Sequence, residues 1–285
     1  MRSLPEVTGR REDGDSIPGR IEFVTPRKTM AVSVTGSSCD LNCAHCGGHY
    51  LRGMASLAEA LGRRGERAGS FLVSGGCTAA GRVPLREHWA QIERLALRGP
   101  LNLHTGLVTA EDAAAIGKIA RVVSFDFVAD ASVLRNIYGL PASPEDYLRS
   151  YRHLRRHCRV VPHICIGIMG GRIESEYRAL KILKQEGAGA ISFIVFRPTP
   201  GTVLAGASPP PPEEVAGVLA EARALFPRAS LHLGCLRPGG RYRETLDCFA
   251  LGAGINKIVQ PAAPAKRLAL QMGLKVSFGE ECCAL

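Results

Sequence analysis

Short apolar runs alternate along the chain with longer amphipathic segments from Met30 onward. Short apolar runs bounded by Gly or Pro are typical of buried strands, and apolar residues three or four apart are typical of helices that pack on one face. The pattern predicts eight strands, at 30–35, 70–75, 101–105, 121–128, 159–167, 190–196, 229–234 and 255–259. It predicts eight helices, at 55–64, 84–97, 109–119, 144–157, 174–186, 211–226, 241–251 and 263–272.

Strands that alternate with helices of this length indicate βαβ units and a parallel sheet. Eight units predict an α/β fold, a closed (β/α)8 barrel of the TIM type, and 285 residues suit one such domain. A partial (β/α)6 barrel with a C-terminal extension is the alternative if the last two strands are irregular. Residues 1–28, rich in charged residues, Gly and Pro, predict a flexible lead-in to a barrel at 29–272. Residues 273–285 then form a tail with a Cys pair.

Composition limits the location and the partners of the chain. Hydrophobic residues make up 46% of it, but no apolar run approaches the length of a membrane span. Residues 1–20 lack the apolar segment of a signal peptide, so we expect a cytoplasmic protein without a membrane partner. The net charge of +10 is compatible with a nucleic-acid partner, with an acidic protein partner, or with a basic surface that binds neither. Few aromatic residues and dispersed Arg residues disfavour the nucleic acid.

Residues 39–46 read Cys-Asp-Leu-Asn-Cys-Ala-His-Cys and follow the first predicted strand. Ten cysteines in a chain without a secretion signal favour metal or redox chemistry over disulfides. The thiolates of Cys39, Cys43 and Cys46 suit a cubane iron-sulfur cluster and leave one iron without a protein ligand. A zinc site with His45 or His49 as the fourth ligand is the alternative.

This cysteine spacing resembles that of the radical S-adenosylmethionine (SAM) superfamily. The resemblance implies a [4Fe-4S] cluster whose open iron binds SAM, and reductive cleavage of SAM to a 5'-deoxyadenosyl radical. His45 occupies the position before the third cysteine, which is usually aromatic in that superfamily. Gly75 and Gly76 match a motif that contacts the methionine of SAM, although Cys77 stands where the motif has an acid. Gly167 begins a segment that resembles the element beside the adenine.

Four polar residues in or near predicted strand ends are further candidates. Asp126 lies within an apolar strand, where a carboxylate is costly unless it meets a ligand or a donor. We therefore expect Asp126 or Asp130 to bind ribose hydroxyls or a substrate. His104 ends the third predicted strand and is either a site residue or a core histidine. Arg237 follows the seventh strand, and its planar guanidinium suits a carboxylate, a phosphate or a cluster edge.

Five further cysteines lie near strand ends or in the tail, and they are candidate ligands of a second metal site that the resemblance named below implies. They are Cys77, Cys165, Cys235, Cys282 and Cys283. With Pro-His-Ile-Cys-Ile-Gly, Gly-Cys-Leu-Arg-Pro and Glu-Cys-Cys, they make the chain resemble the biotin-synthase-like radical family that contains the second subunit of the two-component lipoyl synthases. The resemblance implies an auxiliary [4Fe-4S] cluster, sacrificed for sulfur insertion into a protein-bound octanoyl chain. Adjacent residues of extended chain point to opposite sides, so we expect only one tail cysteine to bind a given cluster.

The same resemblance implies three partners: an octanoylated lipoyl carrier protein, a second radical SAM subunit, and a reductase or ferredoxin-type electron donor. The basic charge is compatible with docking of an acidic carrier. Two other classes stay open. One is a different radical SAM enzyme of cofactor biosynthesis, a methyltransferase or a mutase. The other is a non-catalytic metal-binding scaffold.

Overall fold

Each predicted strand and each predicted helix forms in the computed structural model, which describes residues 19–285. The strands are β1 Arg20–Val24, β2 Thr29–Ser33, β3 Ala55–Ser56, β4 Ser70–Ser74, β5 Leu101–His104, β6 Val122–Asp126, β7 Val160–Ile166, β8 Ala190–Val195, β9 Ser230–Leu233, β10 Lys257–Val259 and β11 Lys275–Gly279. The α-helices are α1 Leu57–Leu61, α2 Trp89–Ala96, α3 Ala110–Ile119, α4 Ala131–Val133, α5 Pro144–Arg155, α6 Glu176–Gln185, α7 Pro212–Leu225, α8 Gly240–Gly252 and α9 Ala263–Gln271.

The strands form one parallel sheet in the order β11-β1-β10-β9-β8-β7-β6-β5-β4-β2-β3. The eight predicted strands, β2 and β4 to β10, are neighbours in chain order, which confirms the TIM-type (β/α)8 architecture. The last two of them pair regularly, so the six-unit alternative is not supported. Within residues 19–285 no hydrogen-bonded ladder joins β3 to β11, so the sheet curls without closing.

Strand β1 corrects the prediction of a flexible segment over the whole of 1–28. Residues 1–18 lie outside the described residues, but residues 20–24 pair with β10 and β11. The side chains of Ile21 and Phe23 are 1% and 2% exposed and belong to the main hydrophobic core. The segment was missed because three buried residues in a run of five, beside charged neighbours, give too little periodicity for a strand prediction.

The main hydrophobic core lies between the sheet and the helices. The large residues Phe71, Phe125, Phe193 and Leu231, on the outer face of the sheet, have no exposed surface. The inner face is different, since the side chains that alternate with these are mostly polar, among them Asn102, Ser124, Ser192 and His232. TIM barrels usually fill this space with branched apolar residues. The polar lining indicates an interior built for hydrophilic contents.

The tail after β11 folds back beneath the sheet and forms the floor of the barrel. Ala284 has no exposed surface and packs on the first inward side chains of three strands, Val122, Val161 and Ala190. Cys283 packs on Val24 and Val259. Contacts with strands from both halves of the sheet show that the sheet curls around the tail.

Backbone and carboxylate hydrogen bonds hold this floor in place. The amide of Cys282 donates to the Thr29 hydroxyl at 2.7 Å, and the Glu281 carboxylate accepts from Thr29 at 3.0 Å and from Ser70. The Lys28 amide donates to the Glu280 carbonyl at 3.0 Å. The tail therefore bridges β11 to β2 and β4, where the ladder itself is interrupted. No helix in residues 19–285 is long and apolar enough to cross a membrane.

Candidate metal centre

Cys39, Cys43 and Cys46 lie on the loop after β2 and line one cavity at the carboxyl end of the sheet. Left-handed backbone at Asn42 (φ 46°) turns the chain between the first two cysteines. The amide of Cys46 then donates to the Cys43 carbonyl at 3.1 Å, which closes a tight turn. As a result, ligand atoms of Cys43, His45 and Cys46 lie within 4.8 Å of one another.

Two glycines at the end of β4 allow the cysteine loop to pack against that strand. A Cβ at Gly76 would collide with the Ser38 carbonyl and lie 2.6 Å from Cys39 Cα. The Gly76 amide donates to the Thr35 hydroxyl at 2.7 Å. Gly75 and Gly76 both line the cavity with the cysteines. Their contact with SAM stays a prediction, and this position is compatible with it.

A π-helical turn at residues 134–138, which the sequence did not predict, supports the opposite side of the loop. The Ala44 amide donates to the Ile137 carbonyl at 2.7 Å, and the Cys43 thiol lies 3.9 Å from the Tyr138 carbonyl. The Tyr138 ring meets His45 edge to face, with centroids 5.5 Å apart. The apolar residues Val133, Leu134 and Ile137 have helical spacing and could have indicated this turn. The segment is too short, however, for the spacing to predict a helix.

The segment after β8 packs on the loop from a third side. The Leu204 amide donates to the Ala44 carbonyl at 3.0 Å. The hydroxyls of Tyr50 and Thr199 are 2.8 Å apart, and the Arg197 guanidinium stacks over the Tyr50 ring at 5.6 Å. Three elements distant in sequence thus fix the position of the cysteines.

Two cysteines of the loop differ in pKa. Contact between the Cys43 and Cys46 thiols lowers the pKa of Cys46 and raises that of Cys43. Burial, followed by the negative charge of Cys39, raises the pKa of Cys77 to about 12. Cys77 lines the same cavity as the loop cysteines, so it lies beside the first site and not across the cavity from it.

Asp126 and His104 form an ion pair on the wall of this cavity, with Oδ1 and Nε2 3.4 Å apart. Burial opposes the charge of Asp126, but the charge of His104 and its hydrogen bond outweigh burial and lower the Asp126 pKa to about 2. Burial likewise opposes the charge of His104, and Asp126 raises its pKa. The two side chains are 41% and 33% accessible, so both face open space in the cavity.

Gly167 is held by a buried carboxylate. The Glu176 side chain is 1% exposed and accepts hydrogen bonds from the amides of Gly167 at 2.7 Å and Glu174 at 2.9 Å. Gly167 has φ 76°, and a Cβ there would lie 2.7 Å from Pro210. The segment after β7 is therefore rigid and leaves room for no side chain at Gly167; its predicted role beside an adenine stays a prediction.

A continuous row of polar side chains crosses the inner face of six strands. Each member is in direct register with the next; they are Glu22, Lys257, His232, Ser192, His163 and Asp126. Glu22 and Lys257 form an ion pair at 3.1 Å at the far end from the cavity. In the middle, Ser192 Oγ and His232 Nδ1 are buried and have no hydrogen-bond partner among residues 19–285. Alternate polar positions in apolar strands were the sequence signal for this row.

Cys282 and Cys283, two of the other predicted metal ligands, lie at the floor. Cys282 Sγ accepts from Asn102 Nδ2 at 3.3 Å, and contact with the Cys283 thiol lowers the Cys282 pKa. The tail turns at these residues and is not extended as the prediction assumed. Cys235 follows the carboxyl end of β9, and within residues 19–285 it does not form a group of three ligand atoms within 4.8 Å with the tail cysteines. Cys165 lies on β7, inward like His163, and burial raises its pKa.

Arg237 is not at the cavity, contrary to the prediction. Its guanidinium has no exposed surface and binds both carboxylate oxygens of Asp247, at 2.8 and 2.9 Å. It also donates to the Gly234 carbonyl at 2.6 Å. The residue fixes the segment after β9 to α8, because a buried guanidinium needs a partner for each of its donors.

Known structures resemble this chain in fold. No family model and no curated protein matches the sequence. A methylornithine synthase superposes with a TM-score of 0.62 and 14% identity, over 91% of this chain and 84% of that one. The FeFe-hydrogenase maturase HydG from Carboxydothermus hydrogenoformans gives 0.65 and 13%, over 91% and 68%. SuiB of Streptococcus suis gives 0.55 and 11%, over 79% and 51%. The chain shares the α/β barrel fold of these proteins.

Proposed function

We propose that this protein is a radical SAM enzyme that inserts sulfur into an unactivated C–H bond of a protein-bound octanoyl chain. The observation that carries the proposal is the presence of two groups of thiols in one barrel interior. Cys39, Cys43 and Cys46 line the cavity at the carboxyl end of the sheet, and Cys282 and Cys283 reach the interior from the floor.

The residues present at the loop fit a cubane cluster. Thiolates are the ligands that such clusters require, and a third thiol with no fourth protein ligand leaves one iron for SAM. Bound there, the cluster and SAM would supply the 5'-deoxyadenosyl radical. The chain's own residues would orient the cofactor: Gly76 lets the cysteine loop pack against the end of β4, and Asp126, paired with His104, offers a carboxylate to hydroxyl groups.

The second group of thiols suits an auxiliary [4Fe-4S] cluster as the source of sulfur. We take Cys282, Cys283 and Cys235 as its ligands, because the tail carries the first two into the barrel interior. Cys77 is less suited, because it lies beside the first site. Cys165, on β7 between the two groups, is the remaining candidate ligand.

The proposal includes partners that fit the chemistry. An octanoyl chain would arrive on a lipoyl carrier protein, and an electron donor of the ferredoxin or reductase type would reduce the loop cluster. A second radical SAM subunit would complete the pair of sulfur insertions. The net charge of +10 supports an acidic carrier.

Iron and sulfide analysis with Mössbauer spectroscopy tests the cofactor content after anaerobic reconstitution. We expect about eight irons per wild-type chain and about four in the Cys39→Ala, Cys43→Ala, Cys46→Ala variant, since one cubane holds four. A Cys235→Ala, Cys282→Ala, Cys283→Ala variant should keep the loop cluster alone, and a Cys158→Ala, Cys248→Ala variant should lose none. Stoichiometric zinc in place of iron would reject the proposal, because Cys43, His45 and Cys46 would then be a zinc site.

Activity is tested with SAM, a strong reductant and a synthetic octanoyl-lysyl peptide. Mass spectrometry should detect thiolated peptide together with 5'-deoxyadenosine. The Cys235, Cys282, Cys283 variant should still form 5'-deoxyadenosine and add no sulfur. Wild-type protein that cleaves SAM but thiolates no octanoyl peptide, alone or with a partner subunit, would refute sulfur insertion.

A radical rearrangement of a small polar molecule is the second candidate. The polar row on the inner face favours it, since an octanoyl chain gains nothing from Ser192 and His232. The shared fold with a methylornithine synthase, over 91% of this chain, points the same way. This enzyme would need no auxiliary cluster, so about four irons per wild-type chain and none in the loop variant would support it.

A further inference from the structure

Strand β11 has a strand on one side only in the part of the chain that the structure describes. The amide of Lys275 donates to the Gly19 carbonyl, and the Gly279 carbonyl accepts from the Thr25 amide, so both residues face β1. In a parallel pair the N–H and C=O of one residue point to the same side, and the next residue points to the other. The backbone groups of Val276 and Phe278 therefore point away from the sheet.

Apolar side chains accompany this free edge. Phe278 is 74% exposed and Leu270, on the adjoining helix α9, is 68% exposed. Phe278 lies on the helix side of the sheet, with its ring centroid 6.3 Å from that of Phe23. An unprotected edge strand with exposed apolar side chains is a site for pairing with another strand.

The edge is complementary to itself under a twofold axis through Ser277. In an antiparallel pair centred there, Val276 of one copy lies opposite Phe278 of the other. The outward backbone groups of these two residues then face each other. Each such pair exchanges two backbone hydrogen bonds. Phe278 would then cover Val276 of the second copy on the helix side.

Charge complementarity supports the same register. Lys275 of one copy would lie opposite Gly279 of the other, about 5 Å away. The Glu22 carboxylate sits directly over Gly279, with Oε1 2.5 Å from where a Cβ would be. Lys275 would thus reach Glu22 of the second copy, which is 32% exposed in one chain. Glycine at 279 leaves the space for this contact.

We infer that two copies of this chain associate through β11 and extend the sheet across a molecular twofold axis. The inference is independent of the reaction proposed above. Sedimentation and light scattering of the full chain at micromolar concentration should give twice the mass of one chain.

Two variants test the pairing itself. Val276→Pro removes an outward N–H and blocks the ladder, and Phe278→Asp places a charge in the apolar contact. We expect both to be monomers that still unfold cooperatively. Lys275→Glu should weaken dimerisation roughly tenfold, equal to about 1.4 kcal/mol, by repulsion from Glu22. Leu97→Asp is the matched control, because Leu97 is 88% exposed and follows α2, whereas β11 is flanked by β1 and α9.

Hydrogen exchange gives a readout at residue level. The amides of Val276 and Phe278 should be protected in the dimer and become labile on dilution. A monomeric wild type would overturn the inference, whether residues 1–18 or another protein covers the edge. A dimer that survives Val276→Pro would overturn it too, since association would then use another surface.

Discussion

Gly76 determines how closely the cysteine loop approaches the end of β4. Its missing side chain is required because the Ser38 carbonyl and Cys39 occupy the position of a Cβ. The residue therefore acts on the metal site through the backbone of the loop.

Gly76→Ala should reduce iron bound by the reconstituted loop site several-fold, because the Cβ would displace Cys39. Iron analysis and the visible absorbance of the cluster measure this. Gly53→Ala is the control, since a Cβ at Gly53 meets nothing within 4 Å. Equal iron contents in the two variants would contradict this role of Gly76.

Removing only one partner of the buried ion pair between Arg237 and Asp247 should lower the unfolding free energy strongly. Asp247→Ala leaves a guanidinium buried without its charge partner, which costs about 3–5 kcal/mol of unfolding free energy. Denaturant unfolding measures the loss. Arg64→Ala, which breaks the exposed pair with Glu59, should change the same quantity far less, because water screens an exposed pair.

The pair of His104 and Asp126 predicts opposite behaviour for two neighbouring histidines. Asp126 raises the pKa of His104 above its ordinary value of about 6.5. Burial and the charge of His104 lower the pKa of His163 to about 4. Stability from the protonated His104 is therefore fully present below pH of about 6.5 and is lost as pH rises through its folded pKa.

NMR titration of histidine-labelled, cofactor-free protein measures both values. Asp126→Asn should lower the pKa of His104, because the attracting charge is gone, while Asp130→Asn should leave it unchanged. Coincident titration of His104 and His163 in the wild type would show that the pair does not form in solution.

At the scale of elements, the tail links the two ends of the curled sheet, as a closed ladder of strands would otherwise do. It connects β11 to β2 and β4 by hydrogen bonds and fills the space below β6, β7 and β8. Two thiols enter the interior on this element, so the floor and the proposed second metal site are the same piece of chain.

Ala284→Arg should lower the unfolding free energy by about 2–5 kcal/mol, because it places a charge and extra volume in a filled apolar space. It should also expose the interior, which limited proteolysis of the tail detects. Leu97→Arg, at a position that is 88% exposed, is the control and should cost less than about 1 kcal/mol. Equal losses in both variants would argue against a packed floor.

The whole molecule carries a net charge of +10, which acts at long range on any acidic partner. If the partner is an acidic lipoyl carrier, affinity should fall roughly tenfold or more as ionic strength rises from about 0.05 M to 0.5 M, because salt screens exposed charges. Calorimetric titration with octanoylated carrier domain measures this. Affinity that is independent of salt would reject electrostatic docking.

The sequence by itself determined the eight βα units, their order and the loop with Cys39, Cys43 and Cys46. Hydrophobic periodicity and thiol spacing are local signals, and parallel βαβ connections leave few arrangements. The two strands at one edge of the curl, β11 and its neighbour β1, escaped prediction because their short runs owe their pairing to each other.

Only the tertiary structure decided which distant residues meet. The sequence suggested that Arg237 binds an anion. In the structure Arg237 instead pairs with Asp247, ten residues later on α8, and so has a structural role. Cys77 lies beside the first thiols. Cys282 and Cys283 enter the interior from the floor, because the sheet curls around the tail. Contacts of this kind depend on curvature and on register between strands far apart in the chain, which no local pattern of residues encodes.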